Sequence, residues 1–193
     1  MTVFKGRGRT PQSGSAMGSP RWKVRVKPPL IFDRVTSADS AAFYELRRTA
    51  ILAGCASHYP PETLLAWTDP TEDGRLRESA SEHFYFAKAG GEIVGSGMLD
   101  VDAGWLDAIL VAPRFFGRGL GRAIVWYLER IARSHGLRAL ALDSSLNAVA
   151  FYRSLGFVGD AVGIYESPRP VSLECVPMTK VLDGILQGVE APE

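Results

Sequence analysis

Along this chain the apolar positions switch repeatedly between the two-residue period of a strand and the 3.6-residue period of a helix. An apolar-rich run at 30–35 predicts a first strand, and Thr36 with Asp39 three residues later forms a capping box that starts a helix. Phe43, Leu46 and Ala50 then recur at helical spacing to about Ala53, with Arg47 and Arg48 on other sides. Pro60 and Pro61 ahead of Glu62-Thr63-Leu64-Leu65-Ala66-Trp67 predict a second, short helix, because the fixed φ of proline suits a first turn. Residues 68–81 are polar, contain Pro70 and Gly74, and read as a loop with room for one more helical turn.

The middle of the chain is more sharply punctuated. Two strand-like runs at 83–89 and 92–99 flank Gly90-Gly91, a two-residue hairpin signal. A turn at 100–104 leads into a buried-strand pattern at 105–111. From Gly119 onward Leu120, Ile124, Leu128 and Ile131 lie on one helical stripe that stops near His135-Gly136. A short apolar strand follows at 139–142, then a helix capped by Ser145 or Asn147 and closed at Gly156. Tyr165 falls in a late strand segment, Pro168 and Pro170 break it, and 171–181 supplies a last strand. The predicted order is β-α-α-β-β-β-α-β-α-β-β, which implies an α/β domain: a mixed sheet with helices on both faces.

Composition bounds the class without naming a chemistry. With 193 residues, 46% of them apolar, the chain is long enough for one domain with a full core. No apolar run approaches the roughly 20 residues that span a bilayer, and the basic N-terminus is followed by no apolar core of a secretory signal. Cys55 and Cys175 are few and far apart, which disfavours a disulfide framework or a metal site and points to a reducing, cytoplasmic setting. The net charge of +1 hides an asymmetry: seven of the 22 basic residues and none of the 21 acids fall within 1–28, so 15 bases face 21 acids beyond it. Residues 1–28 therefore read as a flexible basic tail ahead of a folded domain at 29–193. A nucleic-acid or membrane contact, or a transit peptide, is the alternative to a merely solvated tail, and solvation is favoured.

The chemistry gathers where the strand at 105–111 meets the next helix. Gly117, Gly119 and Gly121 alternate strictly there and allow close approach to the backbone, while the first helical turn presents unpaired N–H groups at the positive end of its dipole. Such a junction is a cradle for a pyrophosphate. A dinucleotide fold needs G-x-G-x-x-G, and an ATPase loop needs Lys-Ser or Lys-Thr after its last glycine; this chain has neither, since Arg122 follows Gly121.

With Val111-Ala112-Pro113 in front, this loop resembles the acyl-CoA-binding loop of the GNAT superfamily of N-acyltransferases. A second element of that family, A-x-x-F-Y-x-x-x-G-F, is matched about thirty residues later by Ala148, Phe151, Tyr152, Gly156 and Phe157. The chain departs from the family in carrying Phe116 where Gln or Arg usually precedes the first glycine, which leaves Arg114, Arg118 and Arg122 to supply charge. The resemblance covers residues 30–182 and implies a GNAT-type, mostly antiparallel sheet whose central strands, 105–111 and 139–142, splay apart. It also implies acetyl-CoA as cosubstrate, with no metal. In that arrangement Gly117, Arg118, Gly119, Leu120, Gly121, Arg122 and Ala123 surround the diphosphate, and Ile109, Leu110 and Val111 pair with the pantetheine arm like a short strand. Asn147 is expected to bond pantetheine or simply to cap its helix.

Two residues are candidates for catalysis. The resemblance places Tyr152 beside the CoA sulfur as the acid for the departing thiolate; its alternative is a ring packed on the sheet. Asp107 is expected to share a face with Ile109 and Val111 by alternation and to take the amine proton; its alternative is a strand carboxylate paired with arginine. His83, Glu45 and His58 are lesser candidates for the base, and Tyr59, Trp67 and Trp105 are candidates for an acceptor pocket or for core. The implied function is direct attack in a ternary complex by an amine of a small molecule or peptide on acetyl-CoA. The alternative is a noncatalytic acyl-CoA sensor or interaction module. No membrane or nucleic-acid partner is expected, and a homodimer is left open.

Overall fold

The computed structural model describes residues 29–69, 83–167 and 169–182. The basic tail 1–28, nearly all of the loop expected at 68–81, Pro168 and the residues after 182 lie outside the described set. The elements follow the predicted order: β1 (Leu30–Arg34), α1 (Ser40–Gly54), α2 (Pro61–Thr68), β2 (Phe84–Ala89), β3 (Glu92–Asp100), β4 (Trp105–Val111), α3 (Leu120–Ser134), β5 (Ala139–Ser145), α4 (Val149–Arg153), β6 (Gly163–Glu166) and β7 (Ser172–Val181). The strands form one sheet in the order β1-β2-β3-β4-β5-β7-β6. Every neighbouring pair is antiparallel except β4 and β5, which are parallel.

Local signals account for most boundaries. Thr36 donates to the Asp39 carboxylate from its N–H at 2.9 Å and its hydroxyl at 2.6 Å, closing a 3-10 turn (Ser37–Asp39) that runs into α1. These bonds hold the Asp39 carboxyl below its ordinary pKa. Gly90 and Gly91 both take positive φ, at 61° and 82°, as a primed two-residue hairpin turn between β2 and β3 requires. The start of α4 differs from expectation. Neither Ser145 nor Asn147 caps it; the amide oxygen of Asn147 instead accepts from the Cys55 thiol at 3.3 Å, tying the end of α1 to the β5–α4 connection. A buried long-range partner outcompeted the local cap.

Two apolar clusters lie on opposite faces of the sheet. On one face Leu120, Ile124, Leu128 and Ala132 of α3 pack against Leu99, Leu106, Leu140 and Leu142. On the other, Phe43, Leu46, Ala50 and Ile51 of α1 and Leu64 of α2 meet Phe84, Phe86 and Leu110. Glu129, buried in α3, accepts from Lys180 of β7 at 2.5 Å and from Arg133 at 3.2 Å, so a charged tie joins α3 to the β5-β7-β6 half of the sheet. No helix among the described residues is long and apolar enough to cross a membrane.

Close packing of α3 on β3 depends on small residues. A Cβ on Gly97 would stand 2.6 Å from Ile124 and 2.9 Å from both Ile109 and Leu128. Gly97→Ala should therefore lower stability by about 2 kcal/mol through overpacking, read as a fall in urea midpoint at constant m.

Candidate functional site

A cleft of about 820 Å³ opens where β4 and β5 diverge, and runs from the glycine loop to the ends of α1 and α2. The divergence is abrupt. Trp105 of β4 pairs with Ala141 of β5, and no further pairing joins the two strands. β5 turns instead to β7, which it follows through seven residue pairs. On the side of β4 facing β5, the backbone from Leu106 to Val111 therefore meets no neighbouring strand. Buried backbone groups need partners, so this edge is built to receive an extended, hydrogen-bonding ligand.

β4 itself is irregular. Met98 stands opposite Asp107 and Ser96 opposite Leu110, so β4 holds one residue more than β3 across this interval. The extra residue is accommodated at Ala108, whose φ of 48° makes it the sole positive-φ residue other than glycine among the described residues. This bulge overturns the alternation expected from the sequence. Ile109 and Val111 join Leu106 in the cluster under α3, whereas Leu110 belongs to the cluster under α1 and α2. Asp107 lies on the α1 side with Leu110, and not on a face shared with Ile109 and Val111. A one-residue insertion shifts the parity of every position beyond it.

The glycine loop has the geometry of an anion cradle. Gly117 (φ 71°) and Gly119 (φ 82°) need their left-handed conformation, and a Cβ on either would project into open space. Gly121 is small for another reason: a Cβ there would stand 3.1 Å from the Phe151 ring. The N–H groups of Gly117, Gly119, Leu120, Gly121 and Arg122 meet no protein acceptor among the described residues. Ala123 differs from expectation, because its N–H is taken by the Gly119 carbonyl at 3.1 Å, and Arg118 donates its N–H to Phe115 at 3.4 Å. The free donors thus span residues 117–122 with 118 left out. Of the nearby arginines, Arg122 lines the cleft and donates to the Ser154 hydroxyl at 3.3 Å. Arg114 is paired with Glu92, and Arg118 lies over the Phe115 ring.

Tyr152 and Asp107 line the same cleft from opposite sides. The Tyr152 ring is buried between Phe151 and Phe157, edge-on to both, and burial followed by the negative charge of Asp107 pushes its phenol well above the usual range. Solvent reaches Asp107 through the cleft, yet crowding by protein raises its carboxyl. The N–H of Ala108 at 2.6 Å and the charge of Arg47 oppose this rise, while Asp143 across the gap on β5 adds to it. Of the other expected residues, Tyr59 and Trp67 line the cleft, whereas Trp105, His58, His83 and Glu45 do not. Tyr59 is also structural: its hydroxyl donates to the Glu174 carbonyl at 2.7 Å and accepts from the Leu146 N–H at 2.8 Å.

The cleft also holds groups that pattern reading did not single out: Arg47 of α1, Arg169 in the turn between β6 and β7 and Tyr165 of β6 at its far end, and Asp143 of β5 beside Asp107. Arg47 sits off the apolar stripe of its helix, and Arg169 stands between prolines, so neither carries a local signal. Burial and the neighbouring carboxylates Asp107 and Asp143 push the Tyr165 phenol up to about 12.

Residues 40–157 match the model of the acetyltransferase (GNAT) family, and the chain belongs to that family. A curated relative, glucosamine 6-phosphate N-acetyltransferase from Trypanosoma brucei brucei, is 33% identical over 94 residues, which cover 44% of this chain and 64% of that protein. The chain spans less than two thirds of the length of the curated relatives it matches. A GCN5-related N-acetyltransferase structure from Rhodopseudomonas palustris superposes with a TM-score of 0.72 at 24% identity, over 79% of this chain and 95% of the other. The PaiA N-acetyltransferase of Thermoplasma acidophilum, solved with coenzyme A, gives 0.63 at 17% identity over 80% and 99% of the two chains.

The cleft also sets the reactivity of Cys55, whose thiol burial pushes up to about 11. At pH 8 an uncharged alkylating reagent should modify Cys55 at least ~10-fold more slowly than a free thiol of ordinary pKa, as followed by peptide mass spectrometry.

Proposed function

We propose that the protein transfers an acetyl group from acetyl-CoA to an amine of a small molecule or peptide, by direct attack with both substrates bound. The observation that carries this reading is the convergence on one cleft of an anion cradle, an unpaired strand edge and two ionisable groups of opposite task. The free N–H groups between Gly117 and Arg122, with the Arg122 guanidinium, suit a diphosphate. The unpaired edge of Ile109, Leu110 and Val111 suits the amide groups of pantetheine. Asn147 is held by Cys55 through its carbonyl oxygen, which leaves its amide N–H groups for the same arm.

Acyl transfer to an amine needs the amine neutral, and the leaving thiolate needs a proton. A carboxyl whose pKa is raised is a stronger base than an ordinary one, which fits Asp107 for accepting the amine proton directly or through a water. A phenol whose pKa is raised stays protonated at neutral pH, which fits Tyr152 for donating to the thiolate. The charge of Asp107 reaches the Tyr152 phenol, and both side chains line one cleft, which supports a single reaction centre between them.

Thiol release from acetyl-CoA across a panel of amines tests the proposal. Tyr152→Phe should lower kcat by ~100-fold or more with a small change in the KM for acetyl-CoA. For wild type, kcat/KM should fall as the pH drops through a value above the ordinary carboxylate range near ~4, and Asp107→Asn should abolish that limb along with most of the rate. Thiol release that is independent of any amine would replace transfer with slow hydrolysis. CoA binding without release would leave an acyl-CoA sensor.

Gly119→Ala forces a side chain into a left-handed position at the helix start, and should raise the Kd for CoA about tenfold by calorimetry.

A further inference from the structure

Arg47 and Arg169 reach the acceptor end of the cleft from separate elements, one from α1 and the other from the turn before β7. Each is held in place through one part of its guanidinium. Arg47 donates from Nη1 to the Trp67 carbonyl at 2.8 Å and lies 5.7 Å from the centre of the Trp67 ring. Arg169 is only 8% exposed; its Nε donates to the Asp69 carbonyl at 2.9 Å and its N–H to the Ser167 hydroxyl at 3.1 Å. Its Nη2 is buried and has no hydrogen-bond partner among the described residues. Neither arginine forms a salt bridge with a carboxylate among the described residues. They are close enough that the charge of Arg169, after burial itself, pushes the Arg47 guanidinium down to about 10.

A buried donor with no acceptor is costly, and more so when it is charged, so Arg169 Nη2 calls for an acceptor that a bound ligand can supply. Two neighbouring guanidiniums that repel each other make the same demand for an anion, and their forked donors match an oxygen pair. Further into the cleft the sign reverses. Asp107 and Asp143 face each other across the gap between β4 and β5, where a cation is welcome and where Tyr152 lies.

We infer that the acceptor is a small amine carrying its own anionic group, a carboxylate or a phosphate, with Arg47 and Arg169 gripping the anion while the amine is directed toward Asp107. The inference rests on the acetyl-transfer reading for the role of the amine, but not for the anion site itself.

Matched pairs of amines test it: an α-amino acid against its carboxamide, and an amino sugar phosphate against the unphosphorylated sugar. Wild type should favour the anionic member of one pair by ~100-fold in kcat/KM, and which pair shows the preference separates carboxylate from phosphate. Arg169→Gln and Arg47→Gln should each shrink that ratio to within ~5-fold, mainly through the KM of the anionic member. Arg169→Lys keeps the charge without the fork and should restore part of it. Each variant is first checked for its melting temperature and CoA affinity; if Arg169→Gln does not fold, Arg47→Gln and Arg169→Lys carry the test. A ratio near one in wild type, or one unchanged in the variants, overturns the inference while leaving acetyl transfer standing. The same amines are also titrated into CoA-loaded protein by thermal shift. If no amine releases thiol, yet the anionic members raise the melting temperature of wild type and not of the variants, the anion site stands and acetyl transfer fails. If the anionic members neither react nor stabilise, the inference is overturned.

Discussion

The site depends on a failure of strand pairing. A parallel pair normally continues along both strands, but β4 and β5 meet at Trp105 and Ala141 and then separate. Backbone groups along the open edge cannot remain dry and unbonded, so the edge demands a ligand or water in place of the missing strand. The bulge at Ala108 belongs to the same constraint: an extra residue bends β4 and increases its twist where the separation develops. That bulge also turns Ile109 and Val111 to the α3 face and leaves Asp107, which precedes it, on the α1 face.

A sheet opened in its middle needs something else to hold its halves together. α3 does this by packing Leu120, Ile124 and Leu128 over Leu106 on one side and Leu140 and Leu142 on the other, and Glu129 fastens it to Lys180. The same helix begins at the glycine loop, so one element spans the gap and presents its unpaired N–H groups at the gap's mouth. Structural support and the anion cradle are therefore coupled: a change that displaces α3 moves the cradle with it. The opposite face is closed by α1 and α2, which with the turn between them bring Arg47, Tyr59 and Trp67 to the cleft.

Electrostatics divide the cleft along its length. N–H dipoles and Arg122 make the loop end positive, the paired aspartates make the centre negative, and Arg47 with Arg169 make the far end positive again. The loop end stays open to solvent, while crowding by protein at the centre and the far end leaves less water to screen charge there. Raised carboxyl and phenol groups at the centre, with a guanidinium lowered at the far end, follow from the same loss of hydration.

The sequence alone determined whatever depends on near neighbours in the chain. The order of the elements, the Gly90-Gly91 hairpin, the stripe of α3 and the glycine loop all follow from periodicity and from residues that fix φ locally. The same holds for the two motifs that brought Tyr152 and the cradle together. Tertiary structure alone decided matters in which distant segments compete. Asn147 abandoned its helix for Cys55, 92 residues away, because a buried polar group takes the best partner in space. That Asp107 faces away from Ile109 and Val111 was set by register against β3, where one residue inserted after Asp107 reverses the parity that follows without leaving any mark in the pattern of β4. Arg47 and Arg169 lie more than a hundred positions apart, and only folding brings them to one end of a cleft, where a guanidinium N–H without an acceptor is costly, as it is not in water.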